Sequence, residues 1–287
     1  MAVAIFPKRS ALATHGSVAV HRRSIAQGLV AAYVPTAANG GAFDLLGQGP
    51  PLVCSSAGAY ACGGGSSGFV GQANNAEAIA TTPDYLKLVL PLTIVCRFTY
   101  LTTPGVNTQL FGVIHNNTFA SPFFSYGFGV DSGGFLELQM SSGGSPNSWE
   151  GSVSYRRTGA SFVGRPSTVI GRMNGSGGSP AQGAWLHFDA DQGDFGSLAL
   201  GNPSYGATSL IQMGIGQGLN RNPQVCVEYG LIYNRFLNQS EVALFRDNPY
   251  HWLESSWGGG SAVTWRTNTP SSSAAAAAAF NALNIAP

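Results

Sequence analysis

Short apolar runs with a period of two recur along this chain, and the gaps between them are filled with Gly, Ser, Asn and Pro. That spacing is what most limits the fold. Side chains alternate across a strand, so a period of two gives each run one face to bury and one to present to solvent. The runs include GLVAAYVP (28–35), LTIVCRFTYL (92–101), QLFGVIHN (109–116), FFSYGFGVD (123–131), GFLELQMSS (134–142), STVIGRMNG (167–175), AWLHFDA (184–190), IQMGIGQ (211–217) and VCVEYGLIYNRFL (225–237). Many short strands divided by turn residues predict an all-β sandwich or barrel. The clearest run places Leu92, Ile94, Cys96 and Phe98 on one face and Thr93, Val95, Arg97 and Thr99 on the other, which predicts a half-buried strand. Pro91 interrupts the apolar stretch before it and sets a short edge strand apart from the main one.

One helix is predicted near the end of the patterned region. Asn238 can cap it, and Glu241 three residues later completes a capping box. Val242 and Phe245, with Ala243, form its buried face, and Asp247-Asn248-Pro249 ends it. Trp252 and Trp257 follow and can seal the sandwich end or anchor an interface.

The two ends differ from the body. Residues 1–27 have no clear period and read as an N-terminal arm. Their first 23 residues hold Lys8, Arg9, His15, His21, Arg22 and Arg23 and no acid. After GGGS (258–261) the chain becomes low in complexity, with PSSSAAAAAAF (270–280). The expected organisation is an arm over 1–27, a β-sandwich domain over 28–257 and a second arm over 258–287. Arms of this composition gain order by docking on a neighbour. Lys8, Arg9, Arg22, Arg23, Trp257, Trp265 and Phe280 are the expected interface residues.

Charged residues make up only 9% of the chain and the net charge is +1. That balance argues against direct nucleic-acid binding. No run reaches 18 apolar residues, so no transmembrane helix is expected, and no signal peptide is evident at the N-terminus. Synthesis in a cytoplasm is expected. Cys96 and Cys226 lie in strand-like runs and read as buried thiols. Cys54 and Cys62 flank a small loop, and whether they form a disulfide is open. No CxxC pair suggests zinc.

Two segments carry a family resemblance. GLVAAYVPT…FDLLGQG resembles the opening of concanavalin A-like, laminin-G-type domains. VEYGLIYNRFLNQSEVALFRDNPY (227–250) is similar to their closing strand and helix, with Glu228, Ile232, Tyr233, Asn234, Arg235, Leu237, Glu241, Leu244 and Pro249 as the matching residues. LTIVCRF (92–98) looks like their central strand. The resemblance implies an all-β, concanavalin A-like jelly-roll sandwich with one short C-terminal helix and extended N- and C-terminal arms. The NPYHWL ending (248–253) is similar to versions found in virion proteins of tailed bacteriophages.

The search for chemistry yields little. Glycoside hydrolysis needs two carboxylates on one strand face, and Glu137 and Glu150 stand alone in the sequence. No nucleophile elbow, phosphate loop or HExxH occurs, so the chain is expected not to be an enzyme. Asp189, Asp191 and Asp194 crowd one loop and form the only candidate for a cation, calcium by its preference for oxygen; a solvated Asp-Gly turn is the favoured reading of the same residues. Trp149, Tyr155, Trp185 and Tyr205, with Asn147, Asn220 and Asn222, are available for a glycan. The expected function is that of a bacteriophage virion structural protein, a capsid decoration or cement protein. It would bind major capsid or tail subunits through its arms and form a homo-oligomer. The alternative is a carbohydrate-binding adhesin that recognises host-surface glycans.

Overall fold

In the computed structural model the described residues are 17–20, 27–36, 41–54, 58–63, 66–71, 77–100, 108–115, 124–130, 136–141, 152–155, 163–175, 183–189, 194–196, 201–214, 225–257 and 261–263. They form β1 (Ser17–Val20), β2 (Leu29–Thr36), β3 (Gly41–Asp44), β4 (Val53–Cys54), β5 (Gly58–Gly63), β6 (Ser66–Gly71), β7 (Glu77–Thr81), β8 (Leu92–Tyr100), β9 (Thr108–Ile114) and β10 (Phe124–Val130). Then come β11 (Leu136–Met140), β12 (Ser152–Tyr155), β13 (Pro166–Met173), β14 (Ala184–Phe188), β15 (Asp194–Gly196), β16 (Leu210–Gly214), β17 (Val225–Tyr233), the helix α1 (Gln239–Asp247), β18 (Leu253–Trp257) and β19 (Ser261–Val263). A 3-10 turn, Asp84–Leu86, precedes β8.

Two antiparallel sheets stack as an all-β jelly-roll sandwich. The nine-stranded sheet runs β15-β14-β13-β8-β17-β2-β3, and the β5–β6 hairpin joins it through β17. The seven-stranded sheet runs β12-β11-β10-β9-β16-β7-β4. Between them lies the main core. Tyr33, Leu92, Ile94, Cys96, Phe98, Val169 and Ile232 meet Phe111, Val113, Tyr126, Phe128, Leu138, Ile211 and Met213. Two glycines let the sheets close. A Cβ on Gly230 would come within 2.5 Å of three atoms of the Phe111 ring, and one on Gly171 within 2.5 Å of Leu138 Cδ1. Each glycine on one sheet thus receives a bulky side chain from the other.

β17 is the hinge of the topology. It pairs with β8 along its whole length and with β2 on its other side, and its first residues also pair with β6. First and last strands of the sandwich are therefore neighbours.

α1 forms where the capping box predicts. Asn238 Oδ1 accepts from the Glu241 backbone N–H at 2.9 Å, and the Glu241 carboxylate accepts from the Asn238 N–H at 2.9 Å. Val242 and Phe245 are buried. Asp44 of the FDLLGQG motif plays a similar organising part. Its carboxylate accepts from the backbone N–H groups of Ala32, Leu46, Gln48 and Gly49. It pins the turn after β3 against β2.

Four expectations from the pattern change. β8 is buried on both faces, not one, because α1 and residues 250–252 lie over its outer side. The small loop expected between Cys54 and Cys62 instead gives residues 58–61 to the β5–β6 hairpin. Within the expected N-terminal arm, residues 17–20 are a strand that pairs antiparallel with β18, and β18 pairs with β19. After Pro91 the ladder starts at Leu92, and no separate edge strand precedes it.

Candidate functional site

The outer faces of the two sheets differ in kind. On the nine-stranded sheet, α1 and the segment after it bury Val34, Val95, Ile170, Tyr229, Leu231, Tyr233, Leu237 and Trp252 in a second apolar cluster. An ion pair sits within this layer. Arg97 Nε donates to Glu228 Oε2 at 3.1 Å, with Arg97 6% and Glu228 0% exposed at the side chain. Tyr250 donates to the same carboxylate oxygen, and Arg97 Nη1 donates to Thr168 Oγ1. Burial works against the Arg97 charge, but Glu228 outweighs it and holds the guanidinium above its usual pKa. Burial first, and then the Glu228 charge, push the Tyr250 hydroxyl well above the usual tyrosine range. These groups are closed to a ligand and hold the helix layer to the sheet.

The seven-stranded sheet carries a polar outer face. Its inward positions are taken by Phe111, Val113, Tyr126, Phe128, Leu136, Leu138, Ile211 and Met213. The alternate positions line up in two rows across the strands. One row reads Ser154, Glu137, Gly129 and Gln109. The other reads Ser152, Gln139, Gly127, Gly112, Gln212 and Ile79. Gln212 Nε2 donates to Gln109 Oε1 at 2.7 Å, and Gln139 Nε2 donates to Glu137 Oε2 at 2.6 Å. Gln212 Oε1 is buried with no hydrogen-bond partner among the described residues. An unsatisfied buried acceptor costs about 1–3 kcal/mol, so it favours any arrangement that supplies a donor. At one end the Phe124 ring lies over Gly127 and Gly112, packed with Ile114 and Leu210.

This face is chemically simple. Amides offer a donor and an acceptor each, and a carboxylate accepts from two hydroxyls. Gln109 and Gln212 are buried there, and Phe124 covers Gly112 and Gly127; Glu137 and Gln139 are the half-buried members of the two rows. Glu137 is the one charged side chain among the described residues of the two rows.

The residues singled out from the sequence fall elsewhere. Asp189 closes the end of β14: its carboxylate accepts from Arg165 Nη2 at 2.6 Å and from the Thr168 N–H at 2.9 Å. Asp194 lies on β15, opposite Leu186, and Asp191 lies outside the described residues. Among those described, no group of three His, Cys, Asp or Glu side chains could hold a metal ion. Trp257 ends β18; Lys8, Arg9, Arg22, Arg23, Trp265 and Phe280 lie outside the described residues. So do Glu150, Trp149, Asn147, Asn220 and Asn222. Trp185 stacks on His187. The Tyr205 ring packs edge-on to Tyr126, and its hydroxyl donates to the Leu88 carbonyl. Tyr205 is thus part of the core wall. Cys96 and Cys226 are buried free thiols, as expected. Cys54 and Cys62 lie on β4 and β5, and their side chains lie outside the description. No described helix is long and apolar enough to cross a membrane.

Sequence reasoning passed over Gln109, Gln139 and Gln212. Each stands as a polar residue at an alternate position of an apolar strand. That signal was readable, but the strand order that collects them on one face was not.

No family model and no curated protein matches the sequence. Solved structures do match in fold. The sialidase of Trypanosoma rangeli in complex with sialic acid superposes with a TM-score of 0.54 at 14% identity, over 76% of this chain and 32% of that one. The binding domain of the paraclostridial mosquitocidal protein 1 superposes with a TM-score of 0.58 at 15% identity, over 79% of this chain and 53% of that one. The chain spans about a third of the sialidase's length and about half of the toxin domain's. At this identity the likeness shows the fold alone: a sheet-rich jelly-roll sandwich. It also corrects one expectation. The chain was expected not to be an enzyme, yet the sialidases that share its fold are enzymes, so that expectation does not stand.

Proposed function

We propose that this chain is a concanavalin A-like carbohydrate-binding domain that takes a neutral oligosaccharide on the outer face of its seven-stranded sheet. One observation carries the reading. Glu137 and Gln139 form a half-buried hydrogen-bonding pair on that face, with the buried Gln109–Gln212 pair behind it. Polyhydroxylated ligands are bound by such mixed donors and acceptors, with few charges. A sialic acid carboxylate would meet the like charge of Glu137, which favours neutral sugars over acidic ones. The lectin-like fold of the structural neighbours supports a glycan as the ligand class.

The setting on a tailed-phage virion belongs to the same proposal and rests on the closing motif. Within it, an adhesin is favoured over a capsid cement protein by the glycan reading above. Co-purification of the chain with infectious particles tests that setting.

An array of neutral, amino and sialylated glycans tests the ligand. Neutral glycans should bind, and titration of the best one should show a loss of about tenfold or more in Gln139→Ala, since tenfold corresponds to one hydrogen bond of about 1.4 kcal/mol. Glu137→Gln should raise the relative signal of sialylated glycans. No binding to any glycan would overturn the reading. So would affinity unchanged in both variants.

A further inference from the structure

Gln139 is held from two sides. It stands two residues after Glu137 on β11, so both side chains rise from one face of the strand. Its Nε2 donates to Glu137 Oε2 at 2.6 Å. Beneath it lies Gly129 of β10, the register partner of Glu137. A Cβ at Gly129 would stand 3.2 Å from Gln139 Nε2, 3.4 Å from its Cδ and 3.5 Å from its Oε1. Three distances so nearly equal lay the amide flat over the glycine.

These contacts fix which end of the amide faces outward. The nitrogen and oxygen ends are alike in size, so packing does not tell them apart and the hydrogen-bond partner decides. A carboxylate only accepts, so Glu137 takes the NH2 end and the carbonyl turns away from it. The buried pair behind has no such constraint: Gln212 and Gln109 are both amides, and each can donate or accept. Gln139 Oε1 accepts no hydrogen bond among the described residues and, unlike Gln212 Oε1, is not sealed from water.

An acceptor held in place is met only by a donor. A sugar hydroxyl carries one; the same oxygen turned into an ether has none. A site built to bond a hydroxyl rejects the analogue that lacks it, because its own polar group is then left unpaired.

We propose that Gln139 selects the ligand, with Glu137 and Gly129 as positioning residues: the outward carbonyl accepts from a free hydroxyl of a neutral sugar, and sugars alkylated at that oxygen are rejected. The proposal rests on the glycan reading of this face.

Titration of the full chain with the methyl glycosides of glucose, galactose and mannose, and with their mono-O-methyl ethers, tests it, followed by NMR so that weak binding registers. The quantity read is the affinity ratio of parent to ether, which a general loss of stability does not move. For one ether of a bound sugar the wild-type ratio should be about tenfold or more. In Gln139→Ala it should fall to about one. Glu137→Gln lets the amide turn over and offer its NH2 end to an ether oxygen, so the ratio should fall to about threefold or less. Gly129→Val fills the place of the amide on an ordinary strand backbone, and the ratio should fall to about one. A wild-type ratio near one for every ether overturns the proposal, as does wild-type selectivity kept in any of the three variants. If Gly129→Val does not fold, the other two variants decide. Sugar binding with any of these adverse results leaves the face as a glycan site and removes the role of Gln139. If none of the three sugars binds, the role of Gln139 falls, and the glycan array decides the wider reading by itself.

Discussion

Arg97 and Glu228 meet at 3.1 Å on adjacent strands of the nine-stranded sheet, beneath the helix layer and almost wholly out of water. Removing one member strands the other. Glu228→Gln should destabilise the domain by about 3–5 kcal/mol, the usual cost of an uncompensated buried charge. The double substitution Arg97→Met with Glu228→Leu should recover most of that loss. Urea unfolding of the three proteins checks both statements, and a double variant as unstable as the single one would show that the pair contributes more than mutual neutralisation.

Gly230→Ala places a methyl 2.5 Å from the Phe111 ring in the centre of the sandwich. Overpacking of this kind costs about 1–3 kcal/mol. Phe111→Leu in the same chain should restore part of the loss, because it removes the ring that the methyl meets. Melting temperatures of the single and double variants give the comparison.

The helix cap gives a pH-dependent term. Burial works to raise the Glu241 carboxyl, but hydrogen bonds from Arg235 and the Asn238 N–H, with the Arg235 charge, hold it below the usual glutamate value. A depressed carboxylate stabilises fully above its unfolded pKa of about 4.3, and that contribution fades as pH falls through the lower folded value. The stability difference between wild type and Glu241→Gln should therefore be constant from pH 7 to about 5 and shrink below about 4. Asn238→Ala should cost about 1 kcal/mol at neutral pH. Denaturant midpoints across this range measure both effects.

Asp44 is the acceptor for four backbone N–H groups. Asp44→Ala should cost about 1–3 kcal/mol for the donors left behind. Asp44→Asn keeps one acceptor oxygen and should cost less. If the two variants are equally stable, the turn after β3 is held by something other than this carboxylate.

Much of this architecture was legible in the chain. Asn238 and Glu241 announce the helix because capping is a local contact between residues three apart. Leu92, Ile94, Cys96 and Phe98 announce an inward strand face because alternation is local too. Arg97 was misread for the opposite reason. Its burial depends on Glu228, Tyr250 and α1, which are far off in sequence, and a charged residue at an alternate position looks like a solvent face until the layer above it is known. Gln109, Gln139 and Gln212 share that difficulty. Nothing within nine residues of any one of them says that the three lie on one surface.

The central place of β17 has a consequence for how the chain is made. Its ladders with β8 and β2 close the nine-stranded sheet, and it is among the last strands of the sandwich to leave the ribosome. Until it arrives, β2 and β8 each lack a partner along one edge, and open edges recruit other chains. Pairing between segments so distant in sequence is slow. The nascent polypeptide thus spends most of its synthesis with exposed edges, and the native sheet can close only after Val225–Tyr233 has emerged. A chain stopped short of Val225 would expose that template permanently, so truncation within the last quarter of the domain is expected to yield aggregates, not a smaller folded unit.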